Sequence, residues 1–206
     1  MPSSSGHNLK FLPIAGVVAL ILIGAVFFVG GNARPLPVIS QMRPFTLTNQ
    51  HGKPVTLSTL KGKVWVAQII FTRCPGPCLR MAQLMDQLQQ SLASNPDVVF
   101  VSLTTDPDYD TPEVLSAYSK RFSPAGDRWH FLTGTKQEIY KVAVEDMKLT
   151  SVETKPEDRT SPDELFVHST ISVVLDEQGR VRMSVEALEP DGVQKLKETV
   201  QRLLRE

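Results

Sequence analysis

The chain has only two cysteines among its 206 residues, no surplus of either charge, and no internal repeat or low-complexity run. Two cysteines are too few for a disulfide scaffold, so the fold must be held by an apolar core. Lysine plus arginine equals aspartate plus glutamate at 22 each, which leaves no overall field to attract nucleic acid or another polyanion. Function must then sit in local sites. With the apolar N-terminal stretch set aside, about 170 residues remain, enough for one domain with a sizeable core and short of two.

That stretch, Phe11 to Val29, is nineteen uncharged residues between Lys10 and Arg34. A helix of that length spans most of a bilayer's hydrocarbon core. Residues 11–30 are therefore read as a transmembrane anchor, preceded by a tail at 1–10. A cleaved signal peptide is the competing reading, because Gly31-Asn32-Ala33 offers small residues at a suitable spacing, although signal h-regions usually run only about 7 to 15 residues. Either reading exports the domain. Residues 31–44, with three prolines between Arg34 and Pro44, read as a tether, and 45–206 as the folded domain.

Within that domain, Phe45–Thr48 and Val55–Leu57 alternate in polarity around a turn that contains Gly52, which predicts a hairpin. Val64–Phe71 reads as a buried strand, followed by Met81, Met85, Leu88 and Leu92 at the spacing of an amphipathic helix. Val98–Leu103 is a second apolar strand. Thr111-Pro112 opens a helix that turns Leu115, Tyr118 and Phe122 inward. A short strand at Trp129–Leu132 precedes a capping box, Thr135 with Glu138, on a helix carrying Ile139, Val142 and Ala143. Thr150–Glu164 is polar and without period and reads as a surface insertion. Strand pattern returns at His168, a turn at Asp176–Gly179 leads back through Arg180–Val185, and Val193, Leu196, Val200 and Leu203 mark a last helix. Strands alternating with helices, plus a hairpin near the end, predict an α/β fold with a central mixed sheet, thioredoxin-like in outline.

The chemistry concentrates in Cys74-Pro75-Gly76-Pro77-Cys78, where a hydrophobic strand ends and a helix begins. Unpaired amides and the helix dipole favour a thiolate there, and Arg73 adds positive charge. Two cysteines four apart can close a disulfide or aim both sulfurs at one soft ion. A copper(I) ion held by two thiolates takes a third ligand, for which imidazole is suited. Of the four histidines, His7 precedes the membrane segment and His51 sits in a hairpin turn. His130, between Trp129 and Phe131, reads as a half-buried strand residue. His168 opens a strand whose start faces the cysteine loop in thioredoxin-like folds.

Phe71-Thr72-Arg73-Cys74-Pro75-Gly76-Pro77-Cys78, Thr105-Asp106-Pro107-Asp108-Tyr109-Asp110-Thr111-Pro112, Trp129-His130-Phe131-Leu132-Thr133-Gly134 and His168-Ser169-Thr170 together resemble the Sco/SenC family. The likeness runs from Phe45 to about Leu204. It implies one N-terminal transmembrane helix with its N-terminus cytoplasmic, a thioredoxin-like domain outside the cytoplasm, most simply on the periplasmic side of a bacterial inner membrane, and one copper held by Cys74, Cys78 and His168. It further implies delivery of copper to cytochrome c oxidase, at its dinuclear copper site, with the copper-bearing subunit or another copper chaperone as partner. Leu79 and Val167 depart from the proline and aspartate common in the family, and Val167 removes an acidic neighbour that would orient the imidazole.

The other reading uses the same sulfurs as the redox pair of a membrane-anchored thiol–disulfide oxidoreductase. Against it, three residues separate the cysteines instead of two, and Val167-His168 stands where a cis-proline is expected. Asp106, Asp108 and Asp110 do not make an EF-hand, which needs glycine and glutamate where this chain has Thr111 and Ala117. They read as an acidic loop leading into a capped helix, and Met81 and Met85 as packing residues.

Overall fold

The computed structural model describes residues 34–74, 76–123, 126–153 and 166–206, with backbone only at 151–153 and 166–168. The anchor and tail expected at 1–30 lie outside the described residues. Among the described residues no helix is long and apolar enough to cross a membrane.

Leu36–Glu206 forms one compact unit. Its elements are β1 (Ser40–Gln41), β2 (Thr46–Asn49), β3 (Pro54–Thr56), α1 (Leu57–Leu60), β4 (Val64–Ile70), α2 (Pro77–Ser91), β5 (Val98–Thr104), α3 (Pro112–Ser119), β6 (Trp129–Thr133), α4 (Lys136–Tyr140), β7 (Ser151–Glu153), β8 (Phe166–His168), β9 (Ile171–Leu175), β10 (Arg180–Glu186) and α5 (Gly192–Leu203). Eight strands form one sheet in the order β1-β10-β9-β4-β5-β6-β2-β3, while β7 and β8 pair as a separate antiparallel ribbon. β5 runs parallel to both β4 and β6, and the remaining pairs are antiparallel, so the sheet is mixed as the alternation of elements predicts.

Every residue of β4 and β5 is buried, because helices cover both faces of the sheet. Successive side chains of β4 point to opposite cores. Val64, Val66 and Ile70 meet Ala82, Met85 and Leu88 of α2 and Leu196 and Val200 of α5. Trp65, Ala67 and Ile69 meet Leu57 and Leu60 of α1 and Ile139 of α4. The stripe Met81, Met85, Leu88 and Leu92 is buried throughout, which makes the two methionines core residues.

Three sequence expectations need correction. The domain begins upstream of Phe45: Leu36 and Met42 are buried, and β1 pairs with β10 through Ser40↔Val181 and Gln41↔Arg180. The segment read as the end of a tether is thus part of the sheet edge, held by Arg182, which donates to the carbonyls of Leu36 and Pro37. Second, the start of the supposed insertion, Ser151–Glu153, is a strand, and residues 154–165 lie outside the described part. Third, His168 ends β8 and does not open β9. The turn after α4 is also wider than an α-helix: Lys141–Asp146 is a π-helix, and Lys148 follows at φ 62°. That widening lets the buried Asp146 carboxylate accept from both the Arg43 backbone amide (3.1 Å) and its Nε (2.7 Å).

Candidate metal and thiol site

β4 delivers the chain to the site. After Ile70 it turns, with the Cys74 amide donating to the Phe71 carbonyl at 3.2 Å. Gly76 caps α2 without any side-chain hydrogen bond, Pro77 is the first helical residue, and Cys78 lies in the first turn. The N-cap residue thus has no side chain to compete for the positive end of the helix, and the first turn carries no carboxylate. Neither cysteine is in a disulfide; Cys74 is half-buried, whereas Cys78 is wholly shielded. The two sulfurs share a hydrogen bond. That bond, then burial, then any charge on Cys74 push the Cys78 thiol far above its ordinary range, and a backbone hydrogen bond from Phe71 opposes them. Cys78 thus holds its proton and offers it to Cys74, which leaves the half-exposed sulfur as the one that meets an incoming ion or disulfide.

The three aspartates do three different things. Asp110, fully buried, accepts from the Thr72 amide at 3.1 Å, from the Thr72 hydroxyl, and from the Thr104 hydroxyl at 2.5 Å. It thereby ties the cysteine loop to the end of β5. Burial pushes its carboxyl up, and these hydrogen bonds hold it back. Asp106 accepts from Nε (3.1 Å) and Nη2 (2.5 Å) of Arg73, whose guanidinium lies 4.2 Å from the centroid of the Tyr109 ring. The positive charge expected to favour a thiolate at Cys74 is therefore largely committed to Asp106. Asp108 stays at the surface, 2.7 Å from Lys136 Nζ. The sequence showed only an acidic loop: the roles of Asp106 and Asp110 depend on partners more than thirty residues away, at |i−j| of 33 and 38.

Tyr118 of α3 completes the apolar wall. It shares a core cluster with Cys78, with Cys74 packed at the edge of that cluster. Burial pushes its hydroxyl up, and charge on Cys78 does so next. The histidines separate. His51 is exposed in the β2–β3 turn; His130, on β6, is half-buried, and burial pushes its imidazole down. His168 is placed by backbone alone. It pairs with Ser151, and β9 starts three residues later, antiparallel to β4 through Ala67↔Val173, Val66↔Val174 and Trp65↔Leu175. That register runs from the start of β9 toward the end of β4 from which the cysteine loop leaves. The side chain of His168 lies outside the described part, as does that of Val167. Among the described residues no cluster of three histidines, cysteines or carboxylates is suited to a metal.

A thioredoxin-like sheet with two adjacent reduced cysteines where a central strand meets a helix defines a protein of thiol or soft-metal chemistry. The SCO1/SenC family pattern matches residues 36–205, and the chain belongs to that family. The SCO1 protein homolog of Bacillus subtilis (strain 168) is 35% identical over 169 residues, covering 81% of this chain and 82% of that protein. The structure of BsSco, a member of the Sco family of cytochrome c oxidase assembly proteins in which a disulfide switch was identified, is similar at 30% identity and a TM-score of 0.68, covering 82% of this chain and 96% of that one. Arabidopsis thaliana ScoI with copper bound is similar at 27% identity and a TM-score of 0.66, over 79% and 97% of the two chains.

Proposed function

We propose that this chain carries one copper(I) on Cys74 and Cys78, with His168 as third ligand, and passes it to the copper-bearing subunit of cytochrome c oxidase or to another copper chaperone. The observation that carries the reading is the thiol pair itself: two sulfurs side by side and outside any disulfide, one half-exposed and one buried. A cuprous ion takes the place of the thiol protons between two soft donors, so metal uptake releases protons. The family and its copper-bound member support copper as the cargo. Three ligands leave an approach for an incoming donor, so the ion moves by ligand exchange, without being set free. The domain works outside the cytoplasm, held by residues 11–30 as an anchor; a mature N-terminus at Arg34 in the native protein would contradict that arrangement.

The thiol–disulfide alternative is favoured by one feature: the half-exposed Cys74 and buried Cys78 are arranged like an attacking and a resolving thiol. Substitution separates the two readings. Cys74→Ser or Cys78→Ser removes a ligand and a redox sulfur alike and is expected to abolish tight copper(I) binding. His168→Ala is expected to weaken copper(I) binding at least tenfold while disulfide formation proceeds as in the wild type. Wild-type copper(I) affinity and normal oxidase assembly in His168→Ala, with assembly lost in Cys74→Ser, would instead assign the chain to thiol reduction.

A further inference from the structure

The loop between β5 and α3 is fastened from several sides, yet it leaves a large ring at the surface. Within it the amides of Tyr109 and Asp110 both donate to the Asp106 carbonyl, at 3.1 and 2.9 Å, and the Thr111 amide donates to the Tyr109 carbonyl at 2.8 Å. Asp110 ties the loop to Thr72, Asp106 ties it to Arg73 and Asp108 to Lys136. Tyr109 remains 46% exposed, with its ring laid on the Arg73 guanidinium at 4.2 Å. Covering that cation accounts for one side of the ring and leaves the rest at the surface. The other large apolar side chains exposed among the described residues lie elsewhere: Val38 and Ile39 beside β1 at the sheet edge, Tyr140 at the end of α4 and Leu188 after β10.

Arg73 is the covalent neighbour of Cys74. One peptide step, one arginine side chain and the stacking distance put the Tyr109 ring on the order of 15 Å or less from the Cys74 backbone. Ligand exchange, like disulfide exchange, brings a partner's donor onto the half-exposed Cys74 sulfur, so the partner's surface covers the ground around it. A protein contact of ordinary size covers about 800 Å² on each side, a disc of about 16 Å radius, and the ring falls within it. A tyrosine already held in place loses little conformational freedom on being covered, and rigid aromatic side chains dominate such contacts for that reason. The charges next to it cancel within the chain, Arg73 against Asp106 and Asp108 against Lys136, so these pairs select no charged surface. We infer that Tyr109 anchors a docking face beside Cys74, and that the protein seated there presents an uncharged, apolar surface around its own soft donors. Naming that protein as the copper-bearing subunit of cytochrome c oxidase rests on the proposed function; the position of the face does not.

Tyr109→Ala and Tyr109→Phe in the full chain test it, with the soluble copper-bearing domain of the same organism's cytochrome c oxidase as the probe. Titration calorimetry measures its association with the reduced chain, metal-free and loaded with copper(I). The dissociation constant is expected to rise about tenfold in Tyr109→Ala and to change less than about threefold in Tyr109→Phe, which keeps the ring. Raising salt from about 0.05 to about 0.5 M is expected to change the wild-type affinity less than about threefold, as an apolar contact requires. Copper(I) release to a small soft chelator, which needs no docking face, is expected at the wild-type rate in both variants. Equal affinities in the wild type and Tyr109→Ala overturn the inference, as does a wild type that fails to associate at about 1 mM. A chelator rate altered in Tyr109→Ala as much as the affinity also overturns it and makes the ring part of the site's own packing. A larger salt effect assigns the contact to charge and overturns the apolar face. A wild type that takes up no copper(I) yet binds the oxidase domain through the ring upholds the docking face and overturns the copper reading alone.

Discussion

Asp110 is a buried carboxylate with three donors on it, two from Thr72 and one from Thr104. Thr72 stands two residues before Cys74, so the position of the half-exposed sulfur depends on a carboxylate at the far end of β5. Asp110→Ala strands these donors and is expected to cost about 3 kcal/mol of stability. Chemical denaturation of the reduced protein measures this, and a loss below about 0.5 kcal/mol, the usual size of a neutral surface change, would show that the loop holds itself. Asp110→Asn, which keeps an acceptor and removes a charge that burial disfavours, is expected to recover much of that loss. At this scale the sequence was legible only in part. Cys74 and Cys78 stand out because their chemistry is local to one turn. Asp110 does not, because an acidic run looks the same whether or not its partners stand far along the chain.

At the scale of elements, the N-terminal edge of the sheet is fastened by one side chain. Arg182 of β10 is buried and donates to the Leu36 carbonyl, to Asp176 Oδ2 at 2.8 Å and to Glu206 Oε2 at 2.7 Å. It thus joins the start of the domain, the β9–β10 turn and the last residue after α5. Burial alone would push the Asp176 carboxyl up, but the Arg180 amide and the Arg182 and Arg180 guanidiniums outweigh it and hold the group below its ordinary range. Glu206 is likewise held down against burial by the Leu36 amide and Arg182. For carboxyls held low, the stability they contribute is complete above the ordinary carboxyl range, near pH 4 to 5, and is lost as pH falls through the depressed values. Arg182→Met is expected to destabilise the domain by about 3 kcal/mol at neutral pH. Its thermal midpoint is also expected to fall less between pH 6 and 3 than that of the wild type. Parallel acid profiles for the two proteins would contradict the assignment. Periodicity predicted β10 and α5, yet the bond from Arg182 to Leu36 spans 146 positions, and a polar residue in a strand carries no mark of such a partner. The same blindness made Leu36–Pro44 read as tether, since three prolines suggest a spacer and a two-residue strand has no period.

For the whole molecule, the mixed sheet puts the chemistry at one end. The cysteine loop leaves β4, the Asp110 loop leaves β5, and the register of β9 leads back to the residues after His168. Order and type of elements were readable from the sequence because apolar runs and capping residues are local signals. The two-stranded ribbon that ends in His168 was not, since a polar segment gives no period to read. The claim that unites these levels is a copper(I) site of two thiolates and one imidazole. X-ray absorption at the copper edge, on reduced full-length protein loaded with one equivalent of copper(I) and desalted, measures it most directly. The expected result is one copper per chain in the cuprous state with two sulfur and one imidazole nitrogen neighbours, the nitrogen vanishing in His168→Ala. Copper that washes out on desalting, or a spectrum that His168→Ala leaves unchanged, would contradict it.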